Sequence, residues 1–204
     1  LKALKSSGIY NDALIVFLSD HGDEFWEHGG FEHGHTVYNE LIRVPLIIKL
    51  PQFAQRSKRV AENVDITSIM PTTLDLCGID YDPKDFTAKS LTGLWNGNEN
   101  QSPLAPIVST GTLYYENQES IIDGDYKYIH KLQTGREELY FLKDDLDETN
   151  PLSDTEKLAE LREKLAQATH QAEAVRTRMK LFSAMKGKLD PHLIEEMKSL
   201  GYIQ

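Results

Sequence analysis

Phe17–His35, FLSDHGDEFWEHGGFEHGH, carries four of the chain's seven histidines and five of its carboxylates. Its first two residues end the apolar run ALIVFL, residues 13–18. That run is short, β-branched and continuously apolar, the pattern of a parallel strand buried on both faces. VPLIIKL, residues 44–50, reads as a second such strand, stopped by Pro51. The polar stretch between them hangs from the carboxyl end of the first strand, the edge at which open α/β sheets place their ligands.

Within this stretch, Ser19-Asp20-His21-Gly22 comes straight off the strand. Neighbours on a strand point to opposite faces, so Asp20 and His21 can meet one ion only where the strand has ended and the backbone turns. Gly22, free to take a positive φ, is expected to supply that turn. A carboxylate oxygen beside an imidazole nitrogen suits a divalent cation of intermediate hardness. Taken alone, the motif reads more readily as an Asp-capped turn beside a solvated histidine. A second cluster, EHGGFEHGH, changes the balance by placing His28, His33 and His35 in one Gly-rich loop. Imidazoles there can donate to a tetrahedral oxyanion or protonate a leaving oxygen near neutral pH. His28 is expected to lie at the surface or against Trp26 or Phe31, and His33 is evenly balanced between packing and chemistry.

Outward from the loop, LKALKSSG reads as the end of an amphipathic helix stopped by Gly8. The chain opens in mid-pattern without Met, so it is expected to be part of a longer protein. SKRVAENVDITSIMPTTLDLCGIDYD predicts a short strand and then a helix, with Ser68 as N-cap, Pro71 in the first turn and Gly78 as C-cap. AKSLTGLWNGNENQSP is the best internal boundary. APIVST, TLYYEN, ESIIDGDYKYIHKL and EELYFL predict a small antiparallel sheet turning at Asp123-Gly124-Asp125. Ser153 to Met185 predicts a long helix with leucines at helical spacing, and DPHLIEEMKSLGYIQ a short capped one. His130 falls on a strand and His170 on the solvated helix. Asp144, Asp145, Asp147 and Glu148 lack EF-hand spacing and read as a solvated turn.

The formal charge of −10 over 204 residues argues against nucleic acid or an anionic membrane as partner, though not against a small anionic substrate in a cleft. A single cysteine, Cys77, excludes an internal disulfide, and no apolar run is long enough to span a membrane.

ALIVFLSDHGDEFWEHGGFEHGHTVYNELIRVPLII resembles the C-terminal half of the sulfatase family, within the alkaline phosphatase superfamily. DITSIMPTTLDLCGI resembles that family's helix after the second strand, and DGDYKYIH and ELYFLKDDLDETNPL its C-terminal hairpin and closing strand. The resemblance implies an α/β fold: part of an alkaline-phosphatase-like, mostly parallel sheet with helices, plus a small C-terminal antiparallel sheet and a long helix. Residues 1–100 would be the C-terminal part of the catalytic domain, and 101–204 the small sheet with its helices. In the family the strand ends in Asp followed by Asn or His, both at the metal, which implies Asp20 and His21 as the metal pair. His35, three residues before Tyr38, falls where the family's Lys or His contacts substrate. With help from His33 it would bind sulfate or protonate the leaving oxygen. The implied metal is calcium in the intact enzyme. Zinc or manganese is the alternative, because His21 in place of Asn suits them better.

The family's nucleophile, the first residue of C/S-x-P-x-R and oxidised to formylglycine, has no counterpart in this sequence. Cys77 in LCGID has neither Pro nor Arg behind it. The expectation is therefore a C-terminal fragment, inactive alone, of an enzyme hydrolysing a small-molecule or glycan sulfate ester. Its partner would be the missing N-terminal part of the same protein. The alternatives are a phosphoester or phosphonate hydrolase, or a phosphoethanolamine-type transferase, of the same superfamily, and a non-catalytic packing or oligomerisation module. Neither localisation nor oligomeric state can be read from these residues.

Overall fold

The computed structural model describes residues 1–52, 57–94, 105–179 and 195. Helix α1 (Lys2–Ser6) ends at Ser7, and Gly8 follows it at φ 78°. The predicted strands form as β1 (Ile15–Leu18) and β4 (Leu46–Lys49), but they pair antiparallel, with Ile15 opposite Lys49 and Leu18 opposite Leu46. The expectation of parallel strands buried on both faces therefore fails for this pair, and Phe17 and Ile47 are 59% and 61% exposed. The reason lies in the connection. A parallel neighbour needs a crossover that carries the chain back to the strand's start. Here residues 19–45 turn at the end of β1 and return from that same end, through a short hairpin of β2 (Glu24–Phe25) and β3 (Phe31–Glu32) and then α2 (Asn39–Ile42).

After β4, a 3₁₀ turn at Ile66–Ser68 leads into α3 (Ile69–Cys77), which Gly78 ends in the left-handed conformation. Ser68 occupies the N-cap without a side-chain cap bond. Asp65 instead accepts the Thr67 amide at 2.8 Å. The strand expected before this helix does not form among the described residues 57–65, where no neighbouring strand takes up the ladder.

The larger sheet runs β5 (Ile107–Thr110), β6 (Gln118–Asp123), β7 (Tyr126–Lys131) and β8 (Arg136–Phe141), in chain order and antiparallel throughout. Gly124, at φ 60°, makes the β6–β7 turn. TLYYEN, expected as a strand, is a loop, because its hydrogen bonds go elsewhere. The Leu113 and Tyr114 amides donate to the Gly34 carbonyl, and Thr112 Oγ1 bridges the Glu116 carbonyl and the Gln118 amide. Helix α4 (Thr155–Arg178) is capped by Asp154 on the Lys157 amide. Of the boundary loop expected at 88–103, Thr92–Leu94 form a 3₁₀ turn and 95–103 lie outside the described residues, as do 180–185 of the long helix and, Glu195 apart, the short helix expected at 190–204.

Alternation along the strands sorts two cores onto the two faces of this sheet. Ile121, Tyr128 and Leu139 pack on Leu161 and Leu165 of α4. Their neighbours Ile122, Ile129 and Tyr140 pack with Val37 and Tyr38, just past the His-rich loop. Below that contact lies an ion pair, Lys127 Nζ to Glu148 Oε1 at 2.6 Å, with both side chains wholly buried. Glu148 Oε2 also accepts the Asn39 amide at 2.6 Å, and Lys127 donates to Asn39 Oδ1 at 3.2 Å. Glu148 is thus no part of a solvated turn: it joins the start of α2 to the sheet. Its neighbour Asp145 does behave as a turn residue, accepting the Thr149 and Asn150 amides.

Candidate functional site

The loop between β1 and α2 folds on itself because two glycines admit contacts that no other residue would. The Gly22 amide donates to the Leu41 carbonyl at 2.8 Å. A Cβ on Gly22 would stand 1.9 Å from the Glu40 carbonyl oxygen. Close approach, not the expected positive φ, is what requires glycine there; its φ is not in the left-handed region. A Cβ on Gly30 would stand 2.1 Å from His35 Nε2.

Asp20 and His21 stand together at the turn after β1, with Asp20 Oδ2 and His21 Nε2 3.8 Å apart and Asp20 72% exposed. His21 Nδ1–H donates to the Gly22 carbonyl at 2.9 Å, which leaves the Nε2 lone pair for a ligand. The β2–β3 hairpin swings His33 back over this turn, so that its ring stacks on His21 at 4.0 Å between centroids. Asp23 Oδ1 receives His33 Nδ1–H at 2.9 Å. His21, Asp23 and His33 offer ligand atoms that all lie within 4.8 Å of one another. Two imidazoles and a carboxylate suit zinc or manganese. Calcium takes about six to eight oxygens, and Asp20 and Asp23 alone do not provide them.

His35, expected beside the substrate, is 6% exposed and donates from Nε2 to Glu24 Oε2 at 2.8 Å. Glu24 is wholly buried and also accepts the Gly30 and His28 amides, at 2.6 and 2.9 Å. Burial works against its charge, but these three donors outweigh it and hold its carboxyl below the usual carboxylate range. The Tyr115 ring stands edge-on to His35 at 6.3 Å, and Gln118 Nε2 reaches the His35 carbonyl at 3.3 Å.

His28 lies neither at the surface nor against Trp26 or Phe31, the placements expected from the sequence, but is largely buried among distant partners. It stacks on Tyr38 at 3.7 Å and donates from Nδ1 to Glu40 at 2.6 Å and from Nε2 to the Glu148 carbonyl at 3.2 Å. Burial opposes the imidazolium, yet these acceptors prevail and raise its pKa above the ordinary histidine value. Sequence reasoning missed Asp23, Glu24 and Glu40. The surplus of carboxylates in the loop was the one signal for Asp23 and Glu24, and only the closing of the hairpin, and for Glu40 the placing of α2, matches each to its histidine.

A family model described as N-sulphoglucosamine sulphohydrolase, C-terminal, matches residues 26–175. The chain belongs to the sulfatase family. It is 29% identical over 167 residues to a Delta 4,5-hexuronate-2-O-sulfatase of Bacteroides thetaiotaomicron, a match covering 79% of this chain and 34% of that relative. To an N-acetylglucosamine-6-O-sulfatase of the same organism it is 30% identical over 179 residues, covering 82% of this chain and 31% of the relative. The chain thus spans about a third of the length of these curated relatives. A solved structure of a protein in complex with its substrate D-glucosamine-2-N,6-O-disulfate superposes with a TM-score of 0.67 at 25% identity, covering 85% of this chain and 37% of that one. The sulfatase chain therefore has the α/β, alkaline-phosphatase-like architecture read from its motifs, with the small antiparallel sheet and long helix.

Proposed function

We propose that this chain supplies the C-terminal half of the active site of a sulfuric ester hydrolase acting on a sulfated sugar. The observation that carries the reading is the cluster of His21, Asp23 and His33 at the end of β1, beside Asp20, within a sulfatase-family chain. The relatives named for hexuronate and N-acetylglucosamine sulfates support a sugar as the alcohol part.

In this reading Asp20 and His21 hold a divalent metal together with acidic residues from the rest of the enzyme. Calcium is the ion proposed for the intact protein, with zinc or manganese as the alternative for an imidazole-rich set. When bound, it would stabilise negative charge on the sulfate and on the attacking oxygen. His33, its Nδ1–H anchored on Asp23, would keep Nε2 for the substrate, and His35, held on Glu24, would bind sulfate or donate to the leaving oxygen. The formylglycine nucleophile would come from outside these 204 residues.

The test is sulfate release from a sulfated glucosamine by the full-length protein that carries this chain. Turnover is expected, and His35→Ala should lower kcat/KM by about 100-fold or more. Faster turnover of an aryl phosphate than of any sulfate ester would establish a phosphoester hydrolase instead.

A further inference from the structure

Glu24 has no part in the reading above, yet it is the most completely enclosed carboxylate of the His-rich loop. Its side chain is wholly buried, and the Gly30 amide, the His28 amide and the His35 ring, all of the same loop, bond to it. Oε1 takes both amides, and among the described residues Oε2 is left to His35. An acceptor-only carboxylate places the imidazole proton on Nε2. Gly30 completes the arrangement, since a Cβ there would stand 2.1 Å from that nitrogen and 2.8 Å from Glu24 Oε2. Glu24 sits on β2, and Gly30 directly before β3, so the hairpin that brings His33 over β1 also delivers the clamp on His35.

We propose that Glu24 is a positioning residue for His35: it fixes the ring orientation and keeps a proton on Nε2, so that Nδ1 is the nitrogen that takes up a second proton and gives it to the leaving oxygen of the sulfate ester. This rests on the sulfatase reading for its catalytic meaning, though not for the pairing itself. A carboxylate behind a working imidazole restricts ring rotation and fixes which nitrogen exchanges protons. Glu24→Gln is the discriminating variant. Its amide oxygen can still accept from Gly30 and His28, but its NH₂ then faces His35 Nε2, which must become an acceptor.

Two measurements test the assignment. In alkaline buffer, two-bond ¹H–¹⁵N spectra of the ¹⁵N-histidine-labelled chain should show His35 as the Nε2–H tautomer, and Glu24→Gln should convert it to Nδ1–H. A wild-type Nδ1–H tautomer, or the same tautomer in both proteins, overturns the proposal; should the variant fail to fold, the wild-type spectrum decides alone. In the full-length enzyme, Glu24→Gln should lower kcat on the sulfate ester about 10- to 100-fold with little change in KM. An active enzyme whose Glu24→Gln form keeps its kcat overturns the positioning role. A wild-type enzyme without sulfate-ester turnover, but with the expected tautomer switch, overturns the functional reading and leaves the pairing in place.

Discussion

At His28 both ring nitrogens face acceptors, the Glu40 carboxylate and the Glu148 carbonyl, so the fold favours the imidazolium over the neutral ring. Its folded-state pKa is raised. The stabilisation is then fully present below the unfolded value of about 6.5 and is lost as pH rises through the folded value. The stability difference between the protein and His28→Gln should be largest below about pH 6.5 and shrink as pH rises above it, followed by urea unfolding across pH. A difference that grows with pH would mean that His28 is buried neutral. Of the loop histidines, His21 was legible beside Asp20 because sequence neighbours at a strand end are spatial neighbours too. The partners of His28, His33 and His35 were not, since Glu40, Asp23 and Glu24 lie 12, 10 and 11 residues away and meet them only when the hairpin closes.

Between elements, the Lys127–Glu148–Asn39 clamp joins β7, the loop before α4 and the start of α2. Burial pulls the Lys127 ammonium below its ordinary range and pushes the Glu148 carboxyl above its own, each opposed by the other's charge. Removing one partner leaves a buried charge uncompensated. Lys127→Met should therefore destabilise the protein by about 3–5 kcal/mol, while Lys127→Met with Glu148→Gln recovers part of that loss. Denaturant midpoints of the two variants and the parent make the comparison, and equal losses would show that the pair is not coupled. The strands β5 to β8 and α4 were legible because alternation and 3.6-residue spacing are local properties. TLYYEN also alternates, but its amides go to the Gly34 carbonyl, a partner almost eighty residues earlier that no local pattern announces.

For the whole molecule, the site as built by this chain is half of what the proposed chemistry needs. The purified 204-residue chain should release no nitrophenol from para-nitrophenyl sulfate. Turnover abolished by His35→Ala would show that it already contains a nucleophile. After dialysis against equal calcium and zinc, the chain should retain zinc in preference, and His33→Ala should reduce it. The cluster of two imidazoles and one carboxylate suits a four-coordinate ion and offers too few oxygens for calcium. Stoichiometric calcium would mean a complete oxygen site within these residues. By itself the sequence determined the family, the strand-to-loop step at Asp20 and His21, and the separate antiparallel sheet, because apolar periodicity and an ordered series of motifs are written along the chain. Only the tertiary structure decided that β1 and β4 run antiparallel, that Asp23 and Glu24 back His33 and His35, and that Glu148 is buried. Each of those depends on which distant backbone or charge arrives at the same place, and that is settled when the loop closes against the sheet.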